Sequence, residues 1–167
     1  MDFFEVIQQR HSVRSYRADA VEPEKLAQVL EAARVAPTAC NLQAFRIVVL
    51  PTAGRAEELK RLYPAGWFAE APLVLAVCVN PGQSWSRMDQ KNYSDVDGAI
   101  VMDHIILAAT ALGLGTCWIG AFNPDVARKV LELDESWEPL ALTPLGYAKD
   151  GTFKKTRKSL ADLVSYQ

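Results

Sequence analysis

The sequence is poor in the residues that build disulfide frameworks and metal sites. Its 167 residues include three cysteines and two histidines. Cys40, Cys78 and Cys117 stand far apart, and no CxxC pair or zinc-type spacing occurs. An odd number of isolated cysteines excludes a disulfide framework and favours free, mostly buried thiols. We therefore expect a reducing, cytoplasmic setting and no bound metal.

Long apolar runs and an excess of one charge are also missing. No apolar stretch approaches the roughly 20 residues that cross a bilayer, and the acidic start at residues 1–5 does not resemble a secretion signal. The net charge of −2 gives no basic excess of the kind that marks nucleic-acid-binding proteins. We expect one domain over residues 1–167, with neither a membrane nor a nucleic acid as partner.

Motifs of common enzyme classes are absent as well. The chain has no GxSxG turn, no P-loop and no GxGxxG fingerprint, and the segment 113–115 (GLG) ends a predicted helix instead of opening one. A Ser–His–Asp triad would have to use His11 or His104. Because His104 lies in an apolar helical segment, it is more often a core or interface residue than a base. The sequence does not indicate a hydrolase.

Helical and strand-like segments alternate along the chain. Apolar residues between Leu26 and Ala33 recur at helical spacing, and the apolar run 73–79 is typical of a strand buried on both faces. Helices are predicted at 2–9, 23–36, 53–62 and 97–114 and from Asn123, strands at 45–50, 73–79, 116–119 and 140–147, and a turn at Asp150-Gly151. Because the connections differ in length, we expect a mixed central sheet and not a purely parallel one.

Two of the helices carry particular expectations. The first, 2–9, should turn Phe3, Val6 and Ile7 inward. The longest, 97–114, is apolar over most of its circumference, so it should be buried in the core or in an oligomer interface.

Cationic residues near both ends of the chain could bind an anion. The stretch Arg10-His11-Ser12-Val13-Arg14 collects two guanidinium groups and a hydroxyl, which are donors suited to phosphate. Lys155 and Arg157 are two residues apart and share a face if the segment is extended. Either stretch could instead be solvated surface charge.

Two further stretches offer neutral groups. Asn41 and Gln43, in the polar loop 38–44, could each donate to and accept from a planar heterocycle, or could bind only their own loop backbone. Residues 116–122 place small residues around Trp118, so that the backbone could approach a flat ring, or could form an ordinary buried strand.

Taken together, these stretches resemble the FMN-dependent nitroreductase family. Residues 10–14 (RHSVR) are similar to the family's Arg-x-Ser-x-Arg/Lys signature, and residues 36–45 (APTACNLQAF) to its Pro-Ser-x-x-Asn-x-Gln-Pro-Trp/Phe loop. Residues 97–120, which end in LGLGTCWIG, and the segment 155–157 match the family as well. The resemblance covers about residues 2–160, nearly the whole chain.

The resemblance implies an α+β fold with a central mixed sheet flanked by helices, and an intertwined homodimer with two FMN sites at the dimer interface. It also implies roles for the matching residues. The phosphate and ribityl chain would be held by Arg10, His11, Ser12, Lys155 and Arg157. Arg14 would lie near the pyrimidine edge of the flavin. The other subunit would supply Pro37, Thr38, Ala39 and Asn41, with Gln43 nearby. The opposite side of the ring would be lined by Trp118, Ile119 and Gly120.

The resemblance also implies an NAD(P)H oxidoreductase. A hydride would pass from NADH or NADPH through FMN to a nitroaromatic, quinone or flavin acceptor, with flavin N5 rather than a side chain carrying the chemistry. Alternatives are a specialised flavin reaction, such as reductive dehalogenation or flavin breakdown, and a flavin-binding protein used for storage or redox sensing. Thr38 and Ala44 replace the usual Ser and Pro, and the middle region 63–92 is short, so we expect a small active-site lid.

Overall fold

The computed structural model describes residues 1–149, 151 and 153–167, and these ranges contain five α-helices and four strands. The helices are α1 (Phe3–Gln9), α2 (Pro23–Arg34), α3 (Ala56–Leu62), α4 (Ser94–Ala111) and α5 (Pro124–Val130). The strands are β1 (Phe45–Pro51), β2 (Leu73–Val79), β3 (Gly115–Thr116) and β4 (Glu138–Gly146). Short 3-10 turns lie at Ala39–Asn41, Gly66–Ala69, Pro81–Gln83 and Leu160–Asp162. The predicted turn at Asp150-Gly151 lies outside the described residues, because Asp150 is not described.

The four strands form one antiparallel sheet in the order β1-β2-β4-β3. The end of β1 pairs with the start of β2, and the end of β2 pairs with the start of β4. Each connection therefore leaves and re-enters the sheet at the same end, which makes neighbouring strands antiparallel. The expected α+β fold is confirmed, but the four strands are not mixed. Within the described ranges, parallel pairing is limited to one isolated bridge between Ser12 and Thr116.

Strand β2 lies inside the sheet and is buried on both faces, as its apolar run predicts. Val74 and Ala76 pack in a core layer with α3 and α5, whereas Leu75 and Val77 pack in a layer with α2 and α4. All four side chains are fully buried. Burying a Val or Leu side chain contributes roughly 1.5–3 kcal/mol, so β2 ties both helical layers to one sheet.

The longest helix, α4, begins and ends earlier than predicted. The Ser94 N–H donates to the side-chain oxygen of Asn92 at 2.9 Å, which lets the helix begin three residues before Asp97. After Ala111 the chain reaches Gly113 at φ 76°, a left-handed conformation that ends helices. In the described part of the chain, neither α4 nor any other helix is long and apolar enough to cross a membrane.

One side of α4 stays open in the single chain. Val96, Ile100 and His104 line a shallow depression of about 500 Å³ on this outer face. The Nδ1 atom of His104 lies 2.9 Å from the Ile100 carbonyl oxygen one turn earlier. His104 therefore lies on the helix surface with a backbone partner for Nδ1.

Helix α1 is stabilised at its start but buries little. Asp2 and Glu5 form a reciprocal capping box around the first turn. Val6 is the buried residue of the helix, whereas Phe3 is 62% exposed and Ile7 is 38% exposed. The prediction that Phe3 and Ile7 point inward is therefore wrong for the single chain, because one short helix resting on one layer covers only one of its sides.

Candidate functional site

The basic segment near the N-terminus is fixed to the edge of the sheet. The Val13 N–H donates to the Thr116 carbonyl oxygen at 2.8 Å, and Tyr16 forms an antiparallel bridge with Ala148, just beyond β4. The segment thus lies along the end of β3 and the continuation of β4. This placement brings residues 10–14 next to the segment that follows β4 near the C-terminus.

Two residues that sequence reasoning did not single out anchor this segment from behind. The Tyr16 hydroxyl donates to the Val13 carbonyl oxygen at 2.9 Å, and burial raises the pKa of Tyr16, which keeps it a donor. The Glu70 carboxylate accepts from the Lys149 ammonium at 2.9 Å and from the Tyr16 N–H at 3.2 Å. These two hydrogen bonds, with that of Lys149 the larger, hold the pKa of Glu70 below its usual range.

The N-terminal and C-terminal candidates meet in one cavity, which we call the basic groove. It has a volume of about 420 Å³ and is lined by Arg10, His11, Ser12, Arg14, Lys155 and Arg157. Phe153 and Lys154 complete its wall. The structure therefore brings together the residues to which the family resemblance gives the phosphate, the ribityl chain and the pyrimidine edge.

Within the part of the chain that the structure describes, no acidic residue neutralises the cations of the basic groove. Arg10, Arg14, Lys155 and Arg157 form no ion pair with any carboxylate of the described residues. Desolvation, and then the charges of Arg10 and Arg157, lower the pKa of Lys155. Because like charges in one cavity repel each other, the groove is suited to a multiply charged anion such as a phosphate monoester.

Lys155 and His11, two residues of the basic groove, each contact another part of the chain. The Lys155 ammonium donates to the Ile7 carbonyl oxygen at 2.9 Å, so it places positive charge at the C-terminal end of α1. The His11 ring stacks on Phe153 with centroids 3.6 Å apart and planes 9° from parallel. Its Nδ1 lies 3.0 Å from the Gln9 carbonyl oxygen and therefore carries the hydrogen in this contact. The His11 ring can donate a second hydrogen bond, from Nε2, only when both ring nitrogens carry a hydrogen.

The stretch after β3 presents one aromatic face outward. The Cys117 N–H donates to the buried Thr143 hydroxyl at 3.0 Å, and Ile119 is buried in the core while its backbone pairs with β4. Between them Trp118 remains 42% exposed. A Cβ at Gly120 would meet nothing within 4 Å, so its backbone is open to close approach. Trp118 and Gly120 thus offer surfaces to a ligand, whereas the Ile119 side chain serves the core.

The polar loop at residues 38–43 has an unusual backbone. Cys40, Asn41 and Gln43 have φ values of 51°, 53° and 52°. Left-handed conformations of residues other than glycine cost on the order of 1–3 kcal/mol each and concentrate at functional sites. The Thr38 hydroxyl accepts from the Gln43 N–H at 3.0 Å and closes the loop. Thr38 therefore retains the hydroxyl function of the serine that the family usually has there.

The loop and the basic groove are separate within one chain. The loop candidates, none of which lines the basic groove, are Pro37, Thr38, Ala39, Asn41 and Gln43. The side chains of Pro37, Asn41 and Gln43 are exposed. A single chain therefore assembles the groove and the Trp118 stretch along one sheet edge, and holds the loop elsewhere.

The two buried thiols, Cys78 and Cys117, are not activated for chemistry. Burial raises the pKa of Cys78 to about 12 and also raises the pKa of Cys117, so neither is a ready nucleophile. Among the described residues, no three side chains of His, Cys, Asp or Glu converge as metal ligands would. The residues of the site are suited to binding and orienting a ligand.

Comparison with known proteins identifies the family. The sequence pattern of the Nitroreductase family matches residues 7–67 and 56–147. A crystal structure of a nitroreductase family protein from Clostridium difficile 630 has a TM-score of 0.88 and 38% identity, and covers 99% of this chain and 98% of that one. Two curated sequences are also similar. The FMN reductase (NAD(P)H) of Bacillus subtilis is 29% identical over 165 residues, covering 87% of this chain and 66% of that protein. The NADH dehydrogenase of Thermus thermophilus is 27% identical over 189 residues, covering 95% and 92%. The chain belongs to the Nitroreductase family.

Proposed function

We propose that the chain is an FMN-dependent NAD(P)H oxidoreductase. The observation that carries the proposal is the basic groove, a cavity of about 420 Å³ whose cations lack acidic partners among the described residues. Family membership supports a flavin, and the names of the relatives, FMN reductase and NADH dehydrogenase, support a flavin and a nicotinamide donor. The three unpaired cysteines support a reducing, cytoplasmic location.

The residues present fit FMN at its phosphate end. Arg10 and Arg157 carry planar forks that suit phosphate oxygens. Phosphate charge would offset the effect of desolvation and of the neighbouring cations Arg10 and Arg157, which lower the pKa of Lys155. Bound FMN would supply the hydride chemistry itself. Arg14 would place positive charge near the edge of the cofactor that becomes negative on reduction. Trp118 would cover one side of the ring.

The side of the flavin ring that Trp118 would cover determines how the two substrates use the site. If Trp118 shields one side of the ring, NAD(P)H and the electron acceptor must use the other side in turn. The acceptor that we propose is a nitroaromatic, a quinone or a free flavin. Double-reciprocal plots with two varied substrates should then give parallel lines, and intersecting lines would count against a shared site.

We further propose a homodimer in which the second copy covers the open apolar surfaces. Phe3 and Phe4 on α1 are 62% and 73% exposed, Val96 on α4 is 39% exposed, and Leu160 and Leu163 near the C-terminus are 79% and 64% exposed. Permanent interfaces bury roughly 2,000 Å² or more and are apolar. A dimer would also let the polar loop of one chain reach the basic groove of the other.

Reconstitution with flavin tests the function directly. The protein should be yellow or should become so with added FMN, and denaturation should release FMN and not FAD. FMN-loaded protein should oxidise NAD(P)H, which separates an enzyme from a storage or sensing protein. A chain that FMN does not reconstitute would overturn the proposal.

Mixed dimers test whether one site uses two chains. One subunit carries Arg157→Ala in the groove, and the other carries Asn41→Ala in the loop. If groove and loop come from different chains, one of the two sites in the mixed dimer is intact, and tight FMN binding returns at one site per dimer. If they come from the same chain, every site is defective and no tight site returns.

A further inference from the structure

A buried carboxylate holds the polar loop to α4. Asp97, in the first turn of α4, is 4% exposed, and its Oδ1 accepts from the Ala39 N–H at 2.9 Å. Its other oxygen, Oδ2, is buried and has no hydrogen-bond partner among the described residues. A side chain retained for stability alone would be expected to satisfy both oxygens or to be apolar. The one hydrogen bond that the Asp97 carboxylate makes among the described residues therefore goes to the backbone of the loop.

The helical turn that carries Asp97 packs closely on the sheet. Its neighbour Gly98 lies so close to the sheet that a Cβ there would stand 2.3 Å from Leu140 Cδ2 and 2.7 Å from Val79 Cγ1. The first turn of α4 is therefore pressed against β2 and β4. The hydrogen bond from Ala39 therefore joins the loop to a helical turn that packs closely on the sheet.

The loop requires such an outside anchor. Cys40, Asn41 and Gln43 all have left-handed backbones, and these are conformations that an isolated segment leaves readily. On the C-terminal side, the Asn80 N–H holds the Ala44 carbonyl oxygen at 2.9 Å next to β1. On the N-terminal side, the contact of Ala39 with Asp97 fixes the entry to the strained residues.

We propose that Asp97 is a positioning residue, which holds the loop at residues 38–43 in the conformation that contacts the flavin ring. The inference rests on the proposed function, because it assigns the loop to the ring end of FMN. The proposal divides the site into two parts. The basic groove determines the affinity for the phosphate of FMN, and Asp97 determines the environment of the flavin ring through its hydrogen bond with Ala39.

The test compares FMN with riboflavin, which lacks the phosphate. Asp97→Ala should weaken both flavins by the same factor, about tenfold for the loss of one hydrogen-bonded anchor, and should shift the visible spectrum of bound flavin towards that of free flavin. Asp97→Asn keeps an acceptor for the Ala39 N–H and should restore the parental spectrum. Arg157→Ala should weaken FMN alone and leave the spectrum unchanged.

A matched control removes a buried hydrogen bond far from the loop. The Thr52 hydroxyl donates to the Ala71 carbonyl oxygen at 2.6 Å, at the other end of β1. Thr52→Val should alter thermal stability without altering the spectrum of bound flavin. If Asp97→Ala also changes only stability, or if it leaves riboflavin affinity at the parental value, the positioning role is wrong. If the parent itself binds neither flavin, the proposed function fails instead.

Discussion

The contact between Gly115 and Val13 sets how closely the basic segment lies on β3. A Cβ added at Gly115 would stand 2.8 Å from Val13 Cγ2 and 3.1 Å from both its Cβ and its Cγ1. Gly115 is not in the left-handed region, so alanine is allowed by the backbone and its penalty is steric. Overpacking of this kind costs roughly 1–3 kcal/mol. At this chain length Gly115→Ala should lower the melting temperature by roughly 2–12 °C.

The penalty should largely disappear when Val13 is shortened. Val13→Ala alone removes two buried methyl groups, which costs about 1.6 kcal/mol before any cavity contribution. In that background an alanine at position 115 no longer meets the two Cγ atoms and refills part of the space. We expect the added cost of Gly115→Ala to fall below about 1 kcal/mol in the Val13→Ala background. The difference between its costs in the two backgrounds is the coupling energy, which lies at about 0.5–3 kcal/mol for residues in direct contact.

Urea denaturation of the parent, both single variants and the double variant measures this coupling. All four are compared at one protein concentration, because a dimer makes stability depend on concentration. Gly66→Ala, where an added Cβ meets nothing within 4 Å, is the matched control and should be close to neutral. Gly115→Ala should also weaken FMN, and the double variant should recover much of that loss. Strictly additive free energies of unfolding would refute the packing explanation.

Three further predictions concern charge. Arg157→Ala should weaken FMN about ten- to a hundredfold, as expected when one charge-assisted contact is lost, and fluorescence titration of the apo protein that gives the parental affinity would exclude Arg157 from the phosphate site. Because a bound phosphate should raise the lowered pKa of Lys155, FMN affinity should be complete below the pKa of the empty groove and should decline as pH rises through it; a flat alkaline profile in the same titration would contradict this. The depressed pKa of Glu70 means that its carboxylate stabilises the fold above the unfolded-state pKa and loses this effect as pH falls through the folded-state pKa. Urea midpoints should therefore drop more steeply with acidification in the parent than in Glu70→Gln, and parallel profiles would show that Glu70 contributes nothing.

The sequence predicted those helices and strands that are determined by neighbouring residues in the chain. The apolar run of β2 became a strand with the predicted bounds, and Asn123 caps α5 by accepting from Asp125 N–H at 2.9 Å. The direction of strands was not predictable in the same way, because connection length does not say at which end of the sheet the chain returns. The inward face of α1 was also misassigned, since an apolar stripe containing Phe3 does not reveal whether its own chain or a second copy covers it.

Some residues of the candidate site could be predicted from local sequence signals, and others could not. Cations such as Arg10 and Arg157 could be found from motif spacing, and the structure places both in one groove. Tyr16 and Glu70 could not, because their contact joins residues 54 positions apart and no motif connects them. Asp97 carried a faint signal, as an acid near the start of an otherwise apolar helix, but its partner lies 58 positions away.

Tyr16 and Asp97 fix the two parts of the candidate site separately. Tyr16 holds the basic groove at the sheet edge, and Asp97 holds the loop to α4, so the two parts depend on different hydrogen bonds among the described residues. Substitutions in unconnected parts should act additively. A loss of phosphate affinity caused by Arg157→Ala should therefore leave the effect of Asp97→Ala on riboflavin unchanged in the double variant. Strong coupling between them would instead mean that groove and loop form one cooperative unit across the proposed dimer.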